Sequence, residues 1–263
     1  MSNRWLPSLI LCLVGGALVV PFVIVAGVSV NPVDNISFPP RGFTLAWYQS
    51  LFGESQWLVP IWNSTKIALA AAVIATSLAL SANYYLWRTK SGFAQLVVAI
   101  GVAPFLLPPV ILALGASIFW AYSGLYGNIL ATMISHGVFF APLPMVVVAR
   151  GFADLSDEVI EASETLGATG WARFRTIIFP LVTPYVVTGF ALVTIISFNE
   201  YLVSNMISGF VVETLPIKIF NNIRNGYSPM LASAAMGFVM ITVGVLFAVS
   251  RFTDLLELFG GRR

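Results

Sequence analysis

The sequence predicts an all-α membrane protein with six transmembrane helices and both termini on the cytoplasmic side. Three observations carry this expectation. Of 263 residues, 58% are hydrophobic and 9% are charged, with a mean hydropathy of +0.90, whereas soluble domains use roughly 45–50% apolar and 25% charged residues. The apolar residues form long unbroken runs that meet the ~20 residues a helix needs to cross the hydrocarbon layer, not the ~10-residue alternating strands of a barrel. The basic residues also segregate. With the N-terminus inside, Arg4, Arg88, Lys90, Arg150, Arg173, Arg175, Arg251, Arg262 and Arg263 share the cytoplasmic side, leaving Arg41, Lys66, Lys218 and Arg224 on or near the outer one, as the positive-inside rule requires.

The spans are expected at about 8–30, 61–86, 93–121, 128–149, 181–205 and 230–250, within a single domain covering 1–263. The first follows Arg4, as a signal peptide would, but its apolar run continues well past the roughly 7–15 residues of a signal core and no small-residue cleavage site follows, so it is expected to be retained. Residues 31–60 hold Pro32, Pro39, Pro40, Arg41 and Gly42, an outer loop with a short amphipathic element near 44–52. Trp47, Tyr48 and Trp57 before the second span, and Tyr84, Tyr85 and Trp87 at its end, suit interfacial belts or ordinary packing. Pro104, Pro108 and Pro109 in the third span and Pro142 and Pro144 in the fourth should bend or unwind them, as simple kinks or as hinges. A second outer segment, 206–229, carries a short helix at 216–224 between Pro216 and Pro229. Net charge is +2, too balanced to indicate nucleic-acid binding. One cysteine, Cys12, and one histidine, His136, exclude disulfides and His-cluster metal sites. His136 is either hydrogen-bonded within the bundle or part of a proton relay.

The polar stretch from Arg150 to Phe179 interrupts this pattern. Ser156 is placed as an N-cap, with Asp157 and Glu158 in the first turn against the positive end of the helix dipole. Val159, Ala162 and Leu166 follow at helical spacing beside an acidic face of Glu158, Glu161 and Glu164. Gly167 and Gly170 can end the helix, and Pro180 enters the fifth span where a missing N–H costs least. Such a helix either lies in the membrane interface or docks to a protein. Interfacial helices usually present basic faces to anionic lipid, so an acidic face favours a protein cleft.

The pattern of Glu161, Ala162, Gly167, Ile177 and Pro180 resembles the Glu-Ala-Ala-x3-Gly-x9-Ile-x-Leu-Pro signature, or EAA motif, of inner-membrane permease subunits of ATP-binding-cassette importers. Spacing is intact, with Ser163 replacing the second alanine and Phe179 the leucine. The segments Phe38–Thr44, Pro108–Gly115, Ser135–His136, Ser197–Tyr201 and Thr214–Ile219 look like the second permease subunit of spermidine/putrescine transporters, a similarity spanning roughly 38–252. Aspartate is common in that branch where this chain has Asn199. The resemblance implies a type I importer permease fold and an ATPase-coupling segment of Glu161, Ala162, Ser163, Leu166, Gly167, Ile177 and Pro180. It implies no cofactor in this chain, with ATP and Mg bound by a partner ATPase. The implied partners are a second permease subunit, two ATPase subunits, an extracytoplasmic solute-binding protein and the lipid bilayer of the bacterial inner membrane.

No Gly-x4-Gly-Lys-Ser/Thr phosphate loop and no nucleophile–base pairing occur, so a non-catalytic subunit is expected. Glu200 is the sharpest candidate inside the membrane region, because a charged side chain in a span costs about 2.5–3.5 kcal/mol on insertion scales. It is an interfacial carboxylate without a transport role, a packing or subunit contact, or, with Asn199, a gate lining that receives a cationic solute. Tyr201 could add a cation–π contact. The function expected is therefore ATP-driven import of polyamines or related cationic organic solutes. The alternatives are another small organic solute such as γ-aminobutyrate or an opine, or an ion-driven secondary transporter.

Overall fold

The computed structural model describes residues 5–226 and 228–250. Arg4, Arg251, Arg262 and Arg263, which enter the charge asymmetry above, lie outside the described residues. The described chain is helical without a strand: α1 Trp5–Ser29, α2 Ala46–Gly53, α3 Ser55–Thr89, α4 Gly92–Val102 with a 3-10 turn Ala103–Leu106, α5 Pro109–Tyr122, α6 Ile129–Phe139, α7 Pro142–Ala153, α8 Asp157–Thr165, α9 Gly170–Arg173, a π turn Phe174–Ile178, α10 Phe179–Asn199, α11 Leu202–Ser208, α12 Leu215–Asn225 and α13 Pro229–Ser250. Four stretches are long and apolar enough to cross a bilayer: Ser8–Ser29, Ser55–Thr89, Gly170–Asn199 and Pro229–Ala248. Two bent pairs, α4 with α5 and α6 with α7, bring the number to six if each pair is one span.

The bends have local causes. The stretch 93–121 is not one helix but two, turned by 109°. Leu107 (φ −102°, ψ 141°) and Pro108 (φ −57°, ψ 134°) are both extended, because each precedes a proline whose ring excludes the helical conformation. The 44° bend between α6 and α7 falls just before Pro142, which starts the second helix at a position where no N–H is needed. The stretch 181–205 also differs from its expected form. Helical backbone starts upstream at Gly170, stops at Asn199, and resumes only at Leu202.

The described residues divide into two compact units, one within 1–59 and 218–242 and one within 60–217 and 243–263. In the first, α1 is exposed along most of its length, a state that suits an apolar helix only where lipid or another subunit replaces water. The loop after it is organised by Asn31, which is fully buried. Its amide donates to Ser37 Oγ at 2.7 Å and its carbonyl accepts from Trp47 Nε1 at 2.8 Å. Ser233 of α13 donates to the Ser29 carbonyl at 2.9 Å, tying α13 to the end of α1.

In the second unit the central packing is α7 against α10. A Cβ on Gly189 would lie 2.7 Å from Pro144 Cβ and 3.0 Å from Pro144 Cα, and one on Gly151 would lie 2.6 Å from the Tyr185 ring. Small residues at these points let the backbones approach closely, which is how helices associate when no hydrophobic effect separates them from lipid. Tyr185 then donates to Asp154 at 2.6 Å at the end of the same seam. Replacing Gly189 with valine is expected to destabilise the protein by about 1–3 kcal/mol through overpacking, read as a lowered unfolding midpoint in detergent. Gly15→Ala, where nothing lies within 4 Å, should leave the midpoint unchanged or raised.

Candidate functional site

The segment between α7 and α10 is built on that seam. Ala79, Met145, Val148, Phe152, Ile178 and Val182 form one buried cluster, and Leu155, Ile160 and Phe174 pack against it. Ile160 is therefore the point at which α8 is anchored to α3, α7 and α10. Aromatic rings extend the anchorage: Tyr84 meets Phe174 edge-on at 4.8 Å, Trp87 lies 6.1 Å from Phe152, and Trp171 stacks on Phe174 at 5.7 Å. Arg173 pairs with Glu164, fastening α9 to the end of α8.

The helix itself is closed at both ends. Ser156 takes the extended N-cap conformation, yet its side chain makes no capping bond, so the cap is a matter of backbone shape and of Asp157 and Glu158 facing the dipole. At the other end Gly167 has φ +77°, a left-handed conformation that favours glycine. Its N–H reaches the Glu164 carbonyl at 2.9 Å and the Ala168 N–H reaches Ser163 at 3.0 Å, the paired bonds of a Schellman stop. Ser163 is buried and donates to the Ile160 carbonyl at 2.6 Å. The buried hydroxyl thus finds its acceptor within its own helix.

The other expected coupling residues separate by face. Glu161, Ala162 and Leu166 point outward, while Ile177 is half-buried and Pro180 exposed. Leu166 is 88% exposed and Val159 44%, so the apolar stripe Val159–Ala162–Leu166 is the outer surface of the loop, with Glu158 and Glu161 beside it. Sequence reasoning missed Ile178, which is the fully buried residue of the return. The π turn explains the offset: the Phe179 N–H bonds back five residues to Phe174, and the widened turn leads into Pro180, which has no N–H to offer.

Glu200, Asn199 and Tyr201 lie at the far end of α10, about 30 Å of helix from Pro180. Asn199 is exposed and its amide turns back to the Ile195 carbonyl at 3.0 Å. Glu200 does not extend freely. Its carboxylate accepts from the Val203 and Ser204 N–H groups at 2.8 and 3.0 Å and lies 3.2 Å from His136 Nε2. His136 is completely buried, with Nδ1 2.7 Å from Ser197 Oγ and Nε2 3.2 Å from Ser204 Oγ. The carboxylate thus starts α11 as a cap and fixes the break after α10. Sequence reasoning treated His136 and Glu200 separately. The available signal was that two isolated ionisable groups in apolar spans are each costly alone and commonly pair. Among the described residues no group of three His, Cys, Asp or Glu could hold a metal ion.

Removing the Glu200 carboxylate leaves two N–H groups without their acceptor and a buried imidazole without its carboxylate partner, at a cost of about 1–3 kcal/mol. Glu200→Ala and His136→Ala should each lower the unfolding midpoint. Their double mutant should lose less than the sum, with a coupling of about 0.5–3 kcal/mol. Strict additivity would show that the two side chains do not act on each other.

The spermidine/putrescine transport system permease protein PotC of Haemophilus influenzae is 26% identical over 94% of this chain and 95% of its own length. The putrescine transport system permease protein PotI of Escherichia coli K12 is 26% identical over 78% of this chain and 75% of its own. Among solved structures, a chain of the MetNI methionine ABC transporter in an inward facing conformation superposes with a TM-score of 0.63 at 19% identity, covering 80% of this chain and 99% of that one. A chain of the bacterial alginate ABC transporter superposes at 0.66 and 16% identity, covering 97% and 94%. The family model for the binding-protein-dependent transport system inner membrane component matches residues 76–252, and the chain belongs to that family.

Proposed function

We propose that this ABC importer permease carries polyamines or a related cationic organic solute, and receives its driving force through α8 from a separate ATPase. One observation supports the coupling reading above the others. An apolar stripe, Val159, Ala162 and Leu166, faces outward from a helix whose opposite side is anchored through Ile160 to the buried cluster of α3, α7 and α10. A surface that is apolar in the middle, acidic at its edge and rigid behind suits a cleft in a protein partner. The partners proposed are two ATPase subunits that hold ATP and Mg, a second permease forming a heterodimer, and an outer solute-binding protein. The chain then acts as one six-span domain of type I permease architecture, with both termini in the cytoplasm. Closure of the ATPases would move α8 and its anchorage as a rigid body between two packings.

The similarity to PotC and PotI supports the polyamine reading. Asn199, Glu200 and Tyr201 are proposed to shape the outer end of the pathway, Glu200 by holding the break that precedes α11. The exposed Asn199, where polyamine permeases commonly carry aspartate, favours a second reading in which another small organic solute is carried. Calorimetry on the cognate binding protein separates the two: spermidine or putrescine should bind, and binding of γ-aminobutyrate or an opine without either polyamine would contradict the first.

Burial of a leucine side chain is worth about 1.5–3 kcal/mol, so Leu166→Glu should lower ATP-driven uptake in proteoliposomes by about ten-fold or more without lowering the unfolding midpoint. Glu161→Lys and Gly167→Arg should leave membrane insertion intact and separate ATP hydrolysis from uptake. Normal uptake by correctly inserted variants would contradict coupling through α8.

A further inference from the structure

An apolar groove of ≈ 470 Å³ opens between α3, α4 with its 3-10 turn, and the α6–α7 junction. On α3 its lining positions are Leu78, Ser81, Ala82 and Tyr85, spaced as one helix stripe, and the next position on that stripe is Arg88. On α4 the lining begins at Phe93. The turn that joins the two helices, Arg88 to Ser91, therefore closes one end of the groove and carries two cations, Arg88 and Lys90. Both are exposed, and neither forms an ion pair among the described residues.

We propose that this groove and turn form a binding site for an anionic phospholipid, with an acyl chain in the groove and the phosphate at Arg88 and Lys90. The groove lies between helices that belong to candidate spans, where its occupant is drawn from the bilayer or from another subunit. The turn decides between them: a lipid brings an anionic headgroup to Arg88 and Lys90 along with its acyl chain, and an apolar helix face does not. The paired cations select the headgroup, as basic pockets between transmembrane helices do for acidic lipids. The inference requires only that the chain is embedded in a membrane and is independent of the solute carried.

The test uses the assembled transporter, purified in detergent and exposed to equal amounts of phosphatidylglycerol and phosphatidylethanolamine with matched acyl chains, with retained lipid counted by native mass spectrometry. Phosphatidylglycerol should be retained in preference. In the Arg88→Gln, Lys90→Gln variant the preference should fall by roughly five-fold for each cation removed. Ser81→Trp, which fills the groove from an exposed position and keeps both cations, should lose the retained lipid. Val97→Phe serves the same purpose if the tryptophan variant does not fold. Equal retention of the two lipids by the unaltered transporter, no retained lipid at all, or a preference untouched by either class of variant overturns the proposal.

Discussion

The close approach of α7 and α10 at Gly151 and Gly189 is the constraint on which the rest depends. At these two points an added Cβ would collide with a tyrosine ring and with Pro144. Without that approach, Met145, Val148 and Phe152 on one side would not meet Ile178 and Val182 on the other. The cluster they form is the floor on which Ile160 sits. In a bilayer this arrangement must come from shape, because lipid satisfies apolar side chains as well as protein does. A seam of glycine, proline and tyrosine is therefore not a weak spot in the fold but the element that sets its geometry.

α10 is the beam between the two regions of interest. At one end it grows out of the π turn that follows α9, and at the other it stops at a carboxylate that belongs to the next helix. Both ends are fastened by groups from other helices: Glu164 of α8, through Arg173, and the Tyr84 ring of α3 at one end, and His136 of α6 at the other. In the proposed coupling, a displacement imposed on α8 would pass through Ile160 to Val182 and the body of α10, turning motion on one face of the membrane into a change at the other.

Much of this was legible in the sequence, for identifiable reasons. Four helices long and apolar enough to cross a bilayer follow from hydropathy alone, and the stop after α8 follows from Gly167, whose lack of a Cβ permits its left-handed backbone. Val159, Ala162 and Leu166 could be placed on one stripe by spacing. That the stripe faces outward could not, because Ile160 and Ser163 define a second, narrower face whose burial depends on residues as distant as Ala79. The pairing of His136 with Glu200 links residues far apart in sequence, so no local pattern reveals it. The 109° turn at Leu107–Pro108 was announced by two prolines in series, but its size depends on both preceding residues becoming extended together.

The most direct measurement is the accessibility of the α8 face with and without its proposed partner. A cysteine is introduced by Ala162→Cys in a Cys12→Ser background, and its reaction with a membrane-impermeant maleimide is followed in inverted membrane vesicles. If α8 seats in an ATPase, labelling is fast for the permeases alone, suppressed when the ATPase subunit is bound, and restored when it is stripped away. Equal labelling rates in the presence and absence of the bound ATPase would contradict the docking of this face and, with it, the route by which the permease is driven.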